Sequence, residues 1–143
     1  MKISTFFMFL FSTLLLLAGC SIGHSVDQNF VESEWHLVQL NGHDVMPTLH
    51  EEITMTITDE GIEGYGGCNY FSNDGKFFMR SGEVSIKGIV SGAKSCGTEI
   101  NDQENVFYHA LITANTYRIS GNRLELYDDN NQLVLLFERD NMQ

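Results

Sequence analysis

Ile53-Thr54-Met55-Thr56-Ile57-Thr58 alternates without a break. In an extended chain Ile53, Met55 and Ile57 fall on one side and three threonines on the other. This is the pattern of a strand with one face in a core and the other in water. A half-buried strand of this kind belongs to an antiparallel sheet.

Working outward, more strands of the same kind appear. Asp59-Glu60-Gly61 turns the chain into a second strand, Ile62–Gly66. Upstream, Glu34–Leu40 carries Trp35, Leu37 and Gln39 on one face and ends at Asn41-Gly42, a strong turn dipeptide. Asn73-Asp74-Gly75 precedes Lys76–Arg80, and Ser81-Gly82 leads into Glu83–Ile89, where Val84, Ile86 and Gly88 share a face. The period then changes: Val106, Phe107, Ala110, Leu111 and Ala114 recur at helical spacing. Asn101 and Glu104 have the spacing of a capping box, and Asp102 and Glu104 suit the positive end of a helix dipole, so a helix is expected from Asp102 to Ala114. Tyr117–Ser120, a Gly121-Asn122 turn, Arg123–Tyr127, a polar loop Asp128–Gln132 and Leu133–Arg139 complete the chain as terminal hairpins. The expected fold is α+β: a strongly curved antiparallel sheet of about seven or eight short strands with one helix packed against it.

The N-terminus carries a different signal. Lys2 precedes an apolar run, Phe6–Leu17, followed by Leu17-Ala18-Gly19-Cys20. The run is shorter than the roughly 20 residues that span hydrocarbon. It resembles the bacterial lipoprotein signal peptide. The resemblance implies that residues 1–19 are removed, that Cys20 is acylated, and that residues 20–32 tether a domain at 33–139. It also implies a lipid-anchored protein of the cell envelope. In a diderm, Ser21 after the acylated cysteine implies an outer-membrane address facing the periplasm.

The chain has 19 acidic and 8 basic residues, a net charge of −11, and loss of Lys2 makes it more negative still. This argues against nucleic acid and against flat docking on anionic lipid. Membrane contact is expected through the acyl chains alone. With Cys20 lipidated, Cys68 and Cys96 remain, an even pair in an oxidising compartment. A disulfide between them closes a loop of about 28 residues, worth about 3–4 kcal/mol in the chain-entropy model. Two buried thiols are the alternative. A reactive cysteine would need cationic neighbours, and Lys94 stands near Cys96 without an adjacent histidine.

Three segments together carry a family resemblance: Trp35-His36-Leu37; Gly66-Gly67-Cys68-Asn69-Tyr70-Phe71; and Cys96 followed by Glu104, Phe107 and Leu111 ahead of Tyr117-Arg118-Ile119 and Leu124-x-Leu126. The order resembles the META domain, the HslJ-like family of bacterial envelope proteins. The motif positions are Trp35, Gly67, Cys68, Asn69, Phe71, Cys96, Glu104, Phe107 and Leu111. One segment departs: Ser91-Gly92-Ala93-Lys94-Ser95-Cys96 lacks the Thr and Met that relatives carry before the second cysteine. The residues themselves read Gly64, Gly66 and Gly67 as a bulge or positive-φ bend, with the Asn69 amide folding back on local backbone. Gly-Cys-Asn is then a structural corner holding Cys68 toward Cys96, or else a ligand-contacting corner.

Other chemistry is weakly supported. His36, His43 and His50 recur every seven residues, with Asp44 and Glu51 near, but fall in strand and loops and match no metal spacing. Asp128-Asp129-Asn130-Asn131 opens like a calcium loop, yet Leu133 and Arg139 stand where Gly and Glu are required. No nucleophile elbow or phosphate loop occurs, so no catalytic residue, metal or cofactor is expected. Tyr65, Tyr70, Phe71, Phe77 and Phe78 crowd together, and adjacent Phe77 and Phe78 must face opposite ways. The expected function is a non-enzymatic binding module in envelope maintenance or stress tolerance, taking an envelope protein or an apolar ligand. The alternative is an anchored inhibitor of a basic enzyme such as lysozyme.

Overall fold

The computed structural model describes residues 31–48 and 51–140. The signal peptide, Cys20, most of the tether and His50 lie outside the described residues. The described residues form eleven strands and one helix: β1 (Glu34–Leu40), β2 (His43–Asp44), β3 (Thr54–Ile57), β4 (Ile62–Tyr65), β5 (Tyr70–Asn73), β6 (Phe77–Arg80), β7 (Glu83–Ile86), β8 (Ile89–Ser91), α1 (Thr98–Thr113), β9 (Thr116–Ser120), β10 (Arg123–Tyr127) and β11 (Leu133–Glu138). All pairings are antiparallel in one curled sheet of order β6-β7-β9-β10-β11-β1-β3-β4-β5-β8, with β2 a short addition to β1. This is the expected α+β fold, one helix against a strongly curled antiparallel sheet, with more strands than seven or eight.

The extra strands have identifiable origins. Tyr70–Asn73, not expected from sequence, is a strand hidden between the Gly-Cys-Asn corner and the Asn73-Asp74-Gly75 turn. That turn does not reverse the chain; it bends one long strand into β5 and β6. The partner, expected as a single Glu83–Ile89 strand, breaks into β7 and β8 at Gly88, whose φ of 72° takes it off the face shared by Val84 and Ile86. Backbone bonds from Asp74 N–H to Gly88 O (2.8 Å), Gly75 N–H to Lys87 O (3.1 Å) and Lys87 N–H to Lys76 O (3.1 Å) carry the ladder across the bend. One half of this hairpin pairs with β4 and the other with β9, so it links the two ends of the sheet. In β1 a bulge between Leu37 and Gln39 shifts the alternation, and Leu40 enters the core in place of the expected Gln39.

The helix starts one turn earlier than expected, after Gly97, and the capping box does not form. Asn101 lies inside the helix; its Oδ1 accepts the Cys96 N–H (3.0 Å) and its Nδ2 donates to Ser95 Oγ (2.9 Å). Glu99 is the acid of the first turn, while Glu104, a turn further on, faces the interior. The helix lays Phe107, Ala110 and Leu111 into the curl. Phe107 sits edge-on to Phe71 at 5.5 Å and to Phe137 at 6.3 Å. Trp35, Ile53, Met55, Ile57, Leu124, Leu126 and Leu135 fill the rest of the core. The Arg139 guanidinium lies 4.8 Å above the Trp35 ring and donates to Ser33 Oγ, fastening the last strand to the first.

Adjacent helix positions should therefore differ sharply. Phe107→Ala is expected to cost about 3–5 kcal/mol, whereas Val106→Ala, at an exposed site, should stay within about 0.5 kcal/mol. Urea unfolding of both variants measures the difference.

Candidate functional site

The Gly66–Tyr70 corner is built around one carboxylate. Glu104 is only 6 % exposed. Its Oε1 accepts the backbone N–H of Asn69 (2.6 Å) and of Cys68 (3.2 Å), and the Tyr108 hydroxyl (3.0 Å). Its Oε2 accepts Asn69 Nδ2 (2.9 Å). Glu104 and Tyr108 stand four residues apart on α1 and so share a face. Four donors on one carboxylate satisfy a buried charge that would otherwise be very costly. Burial first, and then the Glu104 charge and hydrogen bond, push the Tyr108 hydroxyl well above the usual tyrosine pKa.

Asn69 does not fold back on local backbone, as the sequence suggested. Its Oδ1 accepts the Lys94 N–H (2.9 Å) and its Nδ2 donates to Lys94 O (3.1 Å), so the amide acts like a strand partner for a segment 25 residues away. Cys68 and Cys96 are joined in a disulfide, with Cα atoms 5.8 Å apart. The corner is thereby fastened to the Lys94–Cys96 segment by the Asn69 amide and the disulfide, and to the helix by Glu104 and by the Tyr108 hydroxyl, which also reaches Asn69 O (3.4 Å). Because Lys94 contributes backbone atoms, the missing Thr and Met of this segment cost none of these bonds. Gly67 adopts φ 108°, a region that L side chains rarely enter. At Gly66 a Cβ would lie 2.8 Å from Glu104 Oε1 and closer still to the Tyr108 hydroxyl, so glycine is required for the approach itself.

A second feature lies on the opposite face of the sheet. Strand register sets two rows there: Glu34, Thr56, Glu63, Ser72 and Val90; and His36, Thr54, Tyr65 and Tyr70. Glu51, from the loop before β3, joins them around an open cavity of about 670 Å³. Tyr65 and Tyr70 pack at 5.2 Å between centroids, and Tyr70 remains 65 % exposed. The Tyr70 hydroxyl donates to Glu51 Oε2 (3.2 Å), a bond that raises its pKa.

The structure thus brings Gly67, Cys68, Asn69, Cys96 and Glu104 into one cluster. Trp35, Phe71, Phe107 and Leu111 line the core beneath it. The aromatic group divides: Phe71 is buried, Phe77 packs on the core, and Phe78 and Tyr70 face solvent. His36 pairs with Glu52 (2.9 Å) and Glu34 (3.7 Å). Among the described residues no three histidines, cysteines or acids gather as metal ligands. Asp128 Oδ1 accepts the N–H groups of Asn130 (3.0 Å) and Gln132 (2.8 Å), an ordinary acidic hairpin turn. Sequence reasoning missed Tyr108, and it missed Gln103, whose buried amide accepts the Met46 N–H (2.8 Å) and donates to Met46 O (3.1 Å). Tyr108 was legible in principle as the i+4 neighbour of Glu104; nothing in sequence ties Gln103 to Met46.

A curled antiparallel sheet closed over one helix, with a Gly-Cys-Asn corner held by a helix carboxylate, defines an α+β module. The META domain family model matches residues 28–141, and the chain belongs to the META domain family. An NMR structure of a protein from Burkholderia xenovorans is similar in fold, with a TM-score of 0.60, 20% identity, and coverage of 79% of this chain and 85% of that one. A second protein solved by NMR has a TM-score of 0.58 and 23% identity, over 76% of this chain and 89% of that one. None of the curated proteins compared with the chain matches it.

Removing the Glu104 side chain strands two buried backbone donors, so Glu104→Ala should cost about 3–5 kcal/mol in urea unfolding, with Glu104→Gln costing less because one oxygen remains. The raised Tyr108 pKa has a definite sign: its contribution is complete below the ordinary tyrosine value of about 10 and is lost as pH rises beyond it. Stability measured across alkaline pH should fall more steeply for the wild type than for Tyr108→Phe.

Proposed function

We propose that the protein is a lipid-anchored, non-enzymatic binding module of the bacterial cell envelope, acting in envelope maintenance or stress tolerance, with a protein as its partner. One contrast carries the reading. The buried carboxylate and amide of the Gly66–Tyr70 corner are spent on internal hydrogen bonds: Glu104 takes four donors and the Asn69 amide is bonded at both ends. A carboxylate so occupied is a poor general base. The open face carries exposed aromatic and carboxylate side chains around a cavity instead. The interior of the curl is filled by Trp35, Phe107, Phe137 and their neighbours, which favours a partner on the outer face over an apolar ligand inside.

The anchor and the binding role are tested in cells of the source or of a bacterial host. Cys20→Ala should abolish incorporation of radiolabelled palmitate and move the protein out of the membrane fraction; continued labelling would overturn the anchor. In-cell crosslinking of the lipidated protein, with affinity recovery and mass spectrometry, should return one dominant envelope protein. Recovery of the monomer alone would overturn the protein-binding role.

A further inference from the structure

The outer face of β1, β3, β4, β5 and β8 has features that the motif cluster does not explain. Three carboxylates line its cavity, Glu34, Glu51 and Glu63, and among the described residues no lysine or arginine lines it with them. The Glu63 side chain is exposed and, among the described residues, its carboxylate takes no hydrogen bond or ion pair. Glu34 and Glu63 lie in the same cross-strand row two strands apart, about 10 Å at the usual strand spacing. Beside them Tyr70 offers most of its ring to solvent, braced by Tyr65 and oriented through its hydroxyl by Glu51. At the end of the row Val90 is 44 % exposed.

We propose that this face docks a lysine- and arginine-bearing segment of a protein partner, with Tyr70 as the aromatic platform and Glu34, Glu51 and Glu63 pairing its cations. The inference rests on the binding-module reading and gives that module its surface. Charge complementarity selects the occupant: a carboxylate-lined face on a strongly acidic chain repels acidic partners and steers basic ones. An exposed tyrosine ring attracts a cation across its face and is the residue type that dominates protein interfaces. The mixture of tyrosine, valine, threonine and carboxylate along the rows suits a polypeptide, which offers apolar contacts as well as charge. A simple polyamine uses charge alone. At the rim the His36 ring nitrogens lie 2.9 Å from a Glu52 oxygen and 3.7 Å from a Glu34 oxygen, so a docking cation shares Glu34 with the imidazole.

The test uses the full lipidated protein in detergent micelles and a fluorescein-labelled decapeptide of alternating lysine and glycine, read by fluorescence anisotropy. Saturable binding is expected, weakened about tenfold or more by Glu34→Gln/Glu63→Gln and by Tyr70→Ala. A control that removes the same charge elsewhere, Asp102→Asn/Asp129→Asn, should leave affinity within about twofold, since distant exposed charges are screened. The glutamate-for-lysine peptide should not bind. No binding by the wild type, or equal weakening by the control pair, would overturn the proposal. Spermidine displacing the peptide at equal concentration would also overturn it, by showing a polyamine site. The titration reads the groove alone: its failure alongside a crosslinked partner in cells would sink the groove and leave the binding module, whereas absence of any partner in cells would count against the module.

Discussion

The domain turns on the burial of one carboxylate. Glu104 is carried into the interior by the same helical face that presents Phe107 and Leu111, and a charge in that position has to be met by donors. The donors come from the Gly66–Tyr70 corner, which must therefore offer two consecutive backbone N–H groups to one oxygen. That requirement explains the local sequence. Gly67 supplies the positive φ, Gly66 supplies the room, and Asn69 adds an amide donor while its other atoms hold Lys94. The disulfide fastens the same corner to the same segment covalently. Helix, corner and the segment before the helix are thus coupled through the polar centre at Glu104.

This coupling separates architecture from recognition. In this chain the Gly66–Asn69 corner and Glu104 dock the helix, and their polar atoms face inward. The residues facing outward from the same strands, such as Thr54, Thr56, Glu63 and Tyr70, are under no such constraint, because the alternation of a strand puts them on the other face. One strand therefore serves both purposes: Phe71 packs on Phe107 while its neighbour Tyr70 stands in solvent.

Most of the fold was legible because its signals are local. Alternation in Ile53–Thr58, the Asn41-Gly42 and Gly121-Asn122 turns, and the helical recurrence of Phe107, Ala110 and Leu111 each depend on residues a few positions apart. What could not be read depends on distant partners. Asn101 and Glu104 have capping-box spacing, yet a chain segment 35 residues earlier claims Glu104, and the helix starts before either. Asn69 looked like a turn residue and is bonded to Lys94 instead. The strand at Tyr70–Asn73 was obscured because its turn signal marks a bend in one long strand and not a reversal. The outer aromatic groove showed in sequence as crowded aromatics, but which of them face outward is decided by strand register.

The position of β1 has a consequence for how the chain reaches this state. The first strand lies in the middle of the sheet, hydrogen-bonded to β3 on one side and to β11, the last strand, on the other. Its partner β3 follows some twenty residues later in the chain, but the partner for its second edge is supplied only by Leu133–Glu138. Loop closure across nearly the whole domain is then the late entropic cost, and such non-local pairing slows folding. Until that moment Trp35, Leu37 and Leu40 lack the strand that completes their burial. Without Leu133–Glu138 the central strand keeps an unpaired edge, and pairing with β11 is what removes that edge from the domain.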